Sequence, residues 1–257
     1  MTEPEWDQMR IGVEQLRSVL LAYVVAHSDE GPEFQSEDVD AFIDAFELSL
    51  CQLSEGIRYG YRVIFDEIQH RYHIGQRSDQ QLDRFRAKVP DALGQGDLSG
   101  LQDLVAAGGL PADYFGFDLA TLDEMRSVAA HLLHLRRFEE ARNAYYFLIF
   151  MCPYSCVLLV GLGEAELGLG HIAESLQCFR IASQMFPTDL APYYRFVETA
   201  FGAGLTDEAV SFVEEASRVL ETVRELLPEA EERTQELRIF LDQLVSGTFY
   251  TNRGAEA

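Results

Sequence analysis

Lysine is all but missing from this chain: Lys88 stands alone, and arginine supplies the rest of the side-chain positive charge. That imbalance reads as codon bias, with no chemistry attached. Positive charge as a whole is scarce. Forty-three acids against twenty bases leave a net charge of −23, which repels nucleic-acid phosphates and anionic lipid and favours basic or apolar partners. The acids are spread along the chain, 18 with 9 bases over residues 1–96 and 25 with 11 bases over 97–257. Neither part is an acidic tail, and most of this charge is a solubilising surface. Cysteine is sparse too. Cys51, Cys152, Cys156 and Cys178 lie among apolar residues at helical spacing, and the close pair Cys152 and Cys156 has no second pair to complete a zinc site. Free, mostly buried thiols in a reducing cytosol are expected. Met1–Asp7 lacks a basic segment leading into an apolar stretch, and the apolar run Val157–Leu162 is far too short to span a membrane. A cytoplasmic location is therefore expected.

Catalytic signatures are absent as well. The sequence has no Gly-x-Ser-x-Gly and no P-loop. Gly161-Leu-Gly163 falls inside a helical pattern, where glycine allows close packing. His131 and His134, like His70 and His73, are three apart and could share a metal ion, but no acidic or cysteine co-ligand accompanies them at fixed spacing. No catalytic residue, cofactor or metal site is expected, and the protein is not expected to be an enzyme.

What is present is an internal repeat of 34 residues. At that shift Ala141 meets Ser175 and Ala209, and Tyr145 meets Phe179 and Val213. Phe138 meets Ile172 and Thr206, Leu148 meets Ala182 and Ala216, and Val128 meets Leu162 and Phe196. Pro153 aligns with Pro187, and Gly170 with Gly204. Each repeat reads as two antiparallel helices, neither able to bury its apolar face alone. The small residue early in the second helix lets the first approach closely, and the bulky one four later fills the next turn. Gly170 and Gly204 supply the positive φ that ends a first helix, and Pro153 and Pro187 stop a second one. The third repeat has Glu221 in place of that proline, so its helix is expected to run to about Leu227. Seven helices are expected over residues 119–247, as three pairs and a cap.

The cap begins at Pro228 and sets Leu237, Phe240, Leu241 and Leu244 on one face, covering the apolar flank of the last repeat. At the other end, Thr121-Leu-Asp-Glu124 reads as a capping box, and Gly108-Gly109 and Pro111 punctuate a short helix at about 97–107.

Residues 1–96 lack the repeat. Met9, Val13, Leu16, Leu20 and Tyr23 have helical spacing, and a break follows at Ser28–Gln35. Ser36 caps a long second helix in which Ile43, Phe46, Leu50, Leu53, Ile57 and Ile64 form an apolar seam. Ser78-x-x-Gln81 starts a third helix that ends near Gly94. The expected organisation is all-α: an N-terminal helical bundle over 1–96, joined through Gly94–Gly96 to a tetratricopeptide-type helix-turn-helix repeat solenoid with a capping helix over 97–257. The seam needs a partner, which could be the first helix, the repeats or a second copy of the chain in a homodimer. A chain begun near Asp97 is expected to fold alone.

The stretch Thr121–Leu220 resembles the tetratricopeptide chaperones of bacterial type III secretion that hold pore-forming translocator proteins. The matching text is Ala120-Thr-Leu-Asp-Glu and Arg137-Phe-Glu-Glu-Ala141, followed by Gly161-Leu-Gly-Glu-Ala165 with Gly170 beyond it. Ala200-Phe-Gly-Ala-Gly204 with Glu208-Ala209 completes it. With the short upstream helix and the capping helix, the resemblance covers about 97–247. It implies an acidic, cytosolic, often dimeric, non-enzymatic protein whose concave groove binds an extended, proline-punctuated segment of a secreted client. Two departures stand out. The 96 N-terminal residues have no counterpart in the usual family members, and the first repeat carries Arg126, Ala130 and Leu133 where the family tends to have aromatics.

In stacked helix pairs the first helix of each repeat lines the concave side. The expected groove residues are Arg126, Ala130, Leu133 and His134 in the first repeat. Val157, Val160, Glu164 and Leu167 follow in the second, and Tyr194, Glu198 and Phe201 in the third. They make an apolar trough with two carboxylates and one arginine, suited to an extended peptide with a basic residue near Glu164 or Glu198. The alternative is a generic scaffold or regulator that joins two proteins without chaperoning either.

Overall fold

A computed structural model describes residues 50–73, 99–222 and 230–245. The described residues are helical, without strands. In chain order the helices are α1 (Leu50–His73), α2 (Ser99–Ala106), α3 (Pro111–Phe115), α4 (Leu119–His134) and α5 (Phe138–Met151). Then come α6 (Cys156–Gly168), α7 (Ile172–Met185), α8 (Ala191–Gly202), α9 (Thr206–Thr222) and α10 (Ala230–Val245). The fold is all-α, and the seven helices expected over 119–247 are α4 to α10. The chain divides into two compact units between Pro153 and Tyr154.

The repeat shows itself in the backbone. Each first helix ends in a Schellman closure, with a 6→1 hydrogen bond from Arg137 N–H to Leu132 O (3.0 Å), His171 to Glu166 (2.9 Å) and Leu205 to Ala200 (2.8 Å). The left-handed residue of each closure is Arg136 (φ 59°), Gly170 (φ 83°) or Gly204 (φ 78°). The period of 34 thus repeats one bond pattern three times, once over an arginine that bears the steric cost glycine avoids.

In the first unit α4 pairs with α5. Helix α4 starts three residues earlier than the expected capping box. Asp118 is the N-cap, and its Oδ1 accepts from the Thr121 N–H (2.8 Å) and hydroxyl (2.6 Å). Those bonds hold the Asp118 carboxyl below the usual carboxylate range. Thr121 is thus the third residue of the helix rather than its cap: its N–H and hydroxyl both donate to the Asp118 carboxylate one turn earlier.

Over its last two turns helix α5 is buried on every side. From Ala144 to Met151 no residue reaches solvent appreciably. One side faces α4, and α1 covers another, packed closely enough that a Cβ on Gly60 would stand 1.9 Å from the Asn143 carbonyl oxygen. Gly56 meets the Tyr146 ring in the same way, and Tyr61 lies against Phe147 with centroids 5.5 Å apart. Arg137, at the head of α5, pairs with Glu67 of α1 and Glu140. Of the expected N-terminal seam, Ile57 and Ile64 are fully buried, as is Tyr61 between them. A chain begun near Asp97 would lose α1 and expose that side of α5, at about 1.5–3 kcal/mol for each large side chain. The calls on Met9–Tyr23, Ser28–Gln35, Ser36, Ile43, Phe46, Ser78–Gln81, Gly94–Gly96 and the extension from Thr222 to Pro228 lie outside the described residues.

In the second unit α6 pairs with α7, α8 with α9, and α10 packs on α9 and α8. A Cβ on Gly163 would sit 2.5 Å from the Phe179 ring, so Gly161-Leu-Gly163 serves close packing of α6 on α7. The core joins Leu176, Phe179, Phe196, Phe212, Leu237 and Leu244. Phe196 and Phe212 stack with centroids 3.7 Å apart under the Arg180 guanidinium.

Candidate functional site

The first helices of the second and third repeats, α6 and α8, touch each other, and α8 touches α10. Their shared exposed side is the candidate site. On α6 the buried positions Leu158, Leu159, Leu162 and Ala165 face the core. Val157, Val160, Glu164 and Leu167 fall on the other side at intervals of three and four, Val157 exposed and the others half-buried. On α8 the core takes Tyr193, Phe196, Val197 and Ala200, leaving Tyr194, Glu198 and Phe201 half-buried. Val160, Tyr194 and Phe201 rest with their inner edges on the core cluster. All seven expected residues of these two repeats therefore share one side, apolar but for two carboxylates.

Those carboxylates are already engaged. Arg195 reaches from α8 to Glu164 on α6 and, 3.0 Å away, to Glu198. Sequence reasoning placed Glu164 and Glu198 but missed Arg195, which belongs to the same helix turn and could have been paired with Glu198 by its spacing of three. It also missed what α10 adds. Glu236, Ile239 and Phe240 form the far wall of a cavity of about 530 Å³ whose near wall is Tyr194, Arg195 and Glu198. Tyr194 and Phe240 meet edge to face at 5.0 Å, and the Tyr194 hydroxyl lies 3.5 Å from Glu236 Oε2. The signal was the amphipathic turn Glu236–Phe240, of which only the core-facing residues were weighed.

The first-repeat residues lie in the other unit. Arg126, Ala130 and His134 are exposed on α4 and Leu133 half-buried, on the side away from Met125, Val128, Ala129 and Leu132. Arg126 pairs with Asp123 at 3.0 Å.

The thiols of Cys152, Cys156 and Cys178 are poor nucleophiles. Burial pushes Cys178 and Cys152 above the ordinary range, and burial with the nearby Asp189 carboxylate pushes Cys156 up to about 12. His131 and His134 are both exposed on α4. Among the described residues no three His, Cys, Asp or Glu side chains stand together as a metal site. Among the described residues, too, no helix is long and apolar enough to cross a membrane.

No family model matches the sequence, and no curated protein matches it significantly. Among solved structures, the chain is similar to one in a T3SS complex from Aeromonas hydrophila, with 17% identity and a TM-score of 0.46. The match covers 58% of this chain and 97% of that one. At that level of likeness no function transfers.

Proposed function

We propose that the α6–α8 side holds an extended, apolar segment of a client protein, and that the protein is a non-enzymatic chaperone of a type III secretion translocator. The observation that carries the reading is the row of half-buried apolar side chains, Val160, Leu167, Tyr194 and Phe201, on one side of two adjoining helices. Such a row leaves apolar surface in water unless a partner covers it. The resemblance of Thr121–Leu220 to the translocator chaperones supplies the class of client. A membrane-inserting protein made in the cell needs its apolar segments covered until export. Because Arg195 occupies Glu164 and Glu198, client affinity on α6 rests on apolar pockets rather than on a salt bridge to those carboxylates.

The test is co-expression with the proteins encoded beside this chain, followed by co-purification. Burying one medium apolar side chain is worth about 1.5–3 kcal/mol, so losing a pocket lowers affinity by roughly one to two decades. Val160→Glu and Leu167→Glu should release the client while leaving helicity and melting temperature nearly unchanged. Retention of the client by both variants at wild-type yield would remove this side from consideration.

A further inference from the structure

Arg195 does more than close an ion pair. Glu164 stands on α6 four residues after Val160 and three before Leu167, and Glu198 stands on α8 four after Tyr194 and three before Phe201. Each carboxylate is therefore at the centre of a half-buried stripe. The guanidinium that joins them lies in the middle of the apolar row. A guanidinium carries five N–H donors in one rigid plane. One on Nε and one on Nη2 engage Glu164, and one on Nη1 engages Glu198. Two donors are left over, one on each terminal nitrogen, on a side chain 40% exposed. Because two carboxylates from two helices hold the plane, the spare donors keep one direction.

In the free protein water satisfies those donors. Once an apolar segment covers the row that water is displaced, and an N–H left without an acceptor weakens binding. Every residue of the segment brings a carbonyl oxygen. The charge of Arg195 is already met by Glu164 and Glu198, so a client carboxylate gains little there and meets repulsion from both. We infer that Arg195 is a main-chain anchor: its spare N–H donors take a backbone carbonyl of the client, fixing the register of the segment between Val160 and Leu167. A segment helical across Arg195 has its carbonyls committed to its own ladder, so the anchor also selects an extended one. The inference rests on the reading that the α6–α8 side binds a client segment, and it adds the polar contact that orients that segment.

The test uses the full chain with arginine guanidino nitrogens and valine methyls labelled for NMR, the Arg195 Nε–H signal being the one absent from Arg195→Lys. Two acetylated, amidated peptides are titrated, Gly-Leu-Ala-Leu-Gly and its Ala→Asp form. The alanine peptide should move the Val160 methyls and the Arg195 signal together, on one saturation curve, and the aspartate peptide should bind no more tightly. Arg195→Lys keeps a cation between Glu164 and Glu198 but lacks the planar donors. It should weaken the alanine peptide about fivefold to tenfold while leaving the melting temperature nearly unchanged. Movement of Val160 while Arg195 stays still, an aspartate peptide bound about tenfold more tightly, full affinity in Arg195→Lys, or no movement of either signal overturns the anchor. The reading of the α6–α8 side fails separately, through retention of the client by Val160→Glu and Leu167→Glu. It survives if those variants release the client while the Arg195 signal stays still.

Discussion

Helices α5 and α7 occupy the same place in successive repeats, 34 residues apart, and differ on their outer sides. Their inner columns match: Ala141 with Ser175, Tyr145 with Phe179, and Leu148 with Ala182, all buried. Outward, α7 carries Gln177 and Gln184, both exposed, with the half-buried Arg180 between them reaching over the Phe196 and Phe212 rings. The same positions of α5 are Asn143, Tyr146 and Phe150, with both rings buried. One helix is half a layer facing water, and the other is the middle of a sandwich with α1 on its back. The repeat pattern therefore tells how a helix joins its own pair. The outer stripe tells whether something else covers it.

The sharpest way to break the comparison is to exchange the outer residues. Phe150→Gln, which gives α5 the residue α7 has at that column, should cost about 3–5 kcal/mol through the cavity and the buried amide. The reverse change, Gln184→Phe, should stay within about 0.5 kcal/mol, since Gln184 is exposed. Urea denaturation of both variants checks the asymmetry, and equal effects would mean that the outer sides are not different. A second way leaves α5 intact and pries off its cover. Gly60→Val sets a side chain where the Asn143 carbonyl already stands. It should cost roughly 3 kcal/mol and raise dye binding to exposed apolar surface. The smallest effect concerns the closures that the repeats share. Arg136→Gly, matching Gly170 and Gly204, relieves a left-handed arginine and should raise stability by about 0.5–1 kcal/mol in the same urea titration.

Much of this was legible in the sequence. The columns of small, bulky and glycine residues place all three helix pairs, and the intervals of three and four keep the seven residues expected on α6 and α8 out of the core, exposed or half-buried. Two things were harder to read. The partner of the Ile57–Ile64 seam is a matter of packing between distant segments, and helical periodicity is silent about which apolar surface meets which. Yet the hint was there: Ala144–Met151 is an unbroken apolar run, too apolar for a helix covered on one side only, and Gly56 and Gly60 mark a close helix crossing four residues apart. The charge balance of the site was the other. Glu164 read as a free acceptor because its partner Arg195 stands 31 positions away, a pairing that exists only once α6 lies against α8.

The claim that matters most is that the client lies on the α6–α8 side, and photo-crosslinking tests it without altering stability greatly. A benzoylphenylalanine at Leu167, half-buried on α6, should crosslink the co-purified client under illumination. The same group at Val210, 39% exposed on α9, should not. Crosslinking at Val210 with none at Leu167 would contradict the account.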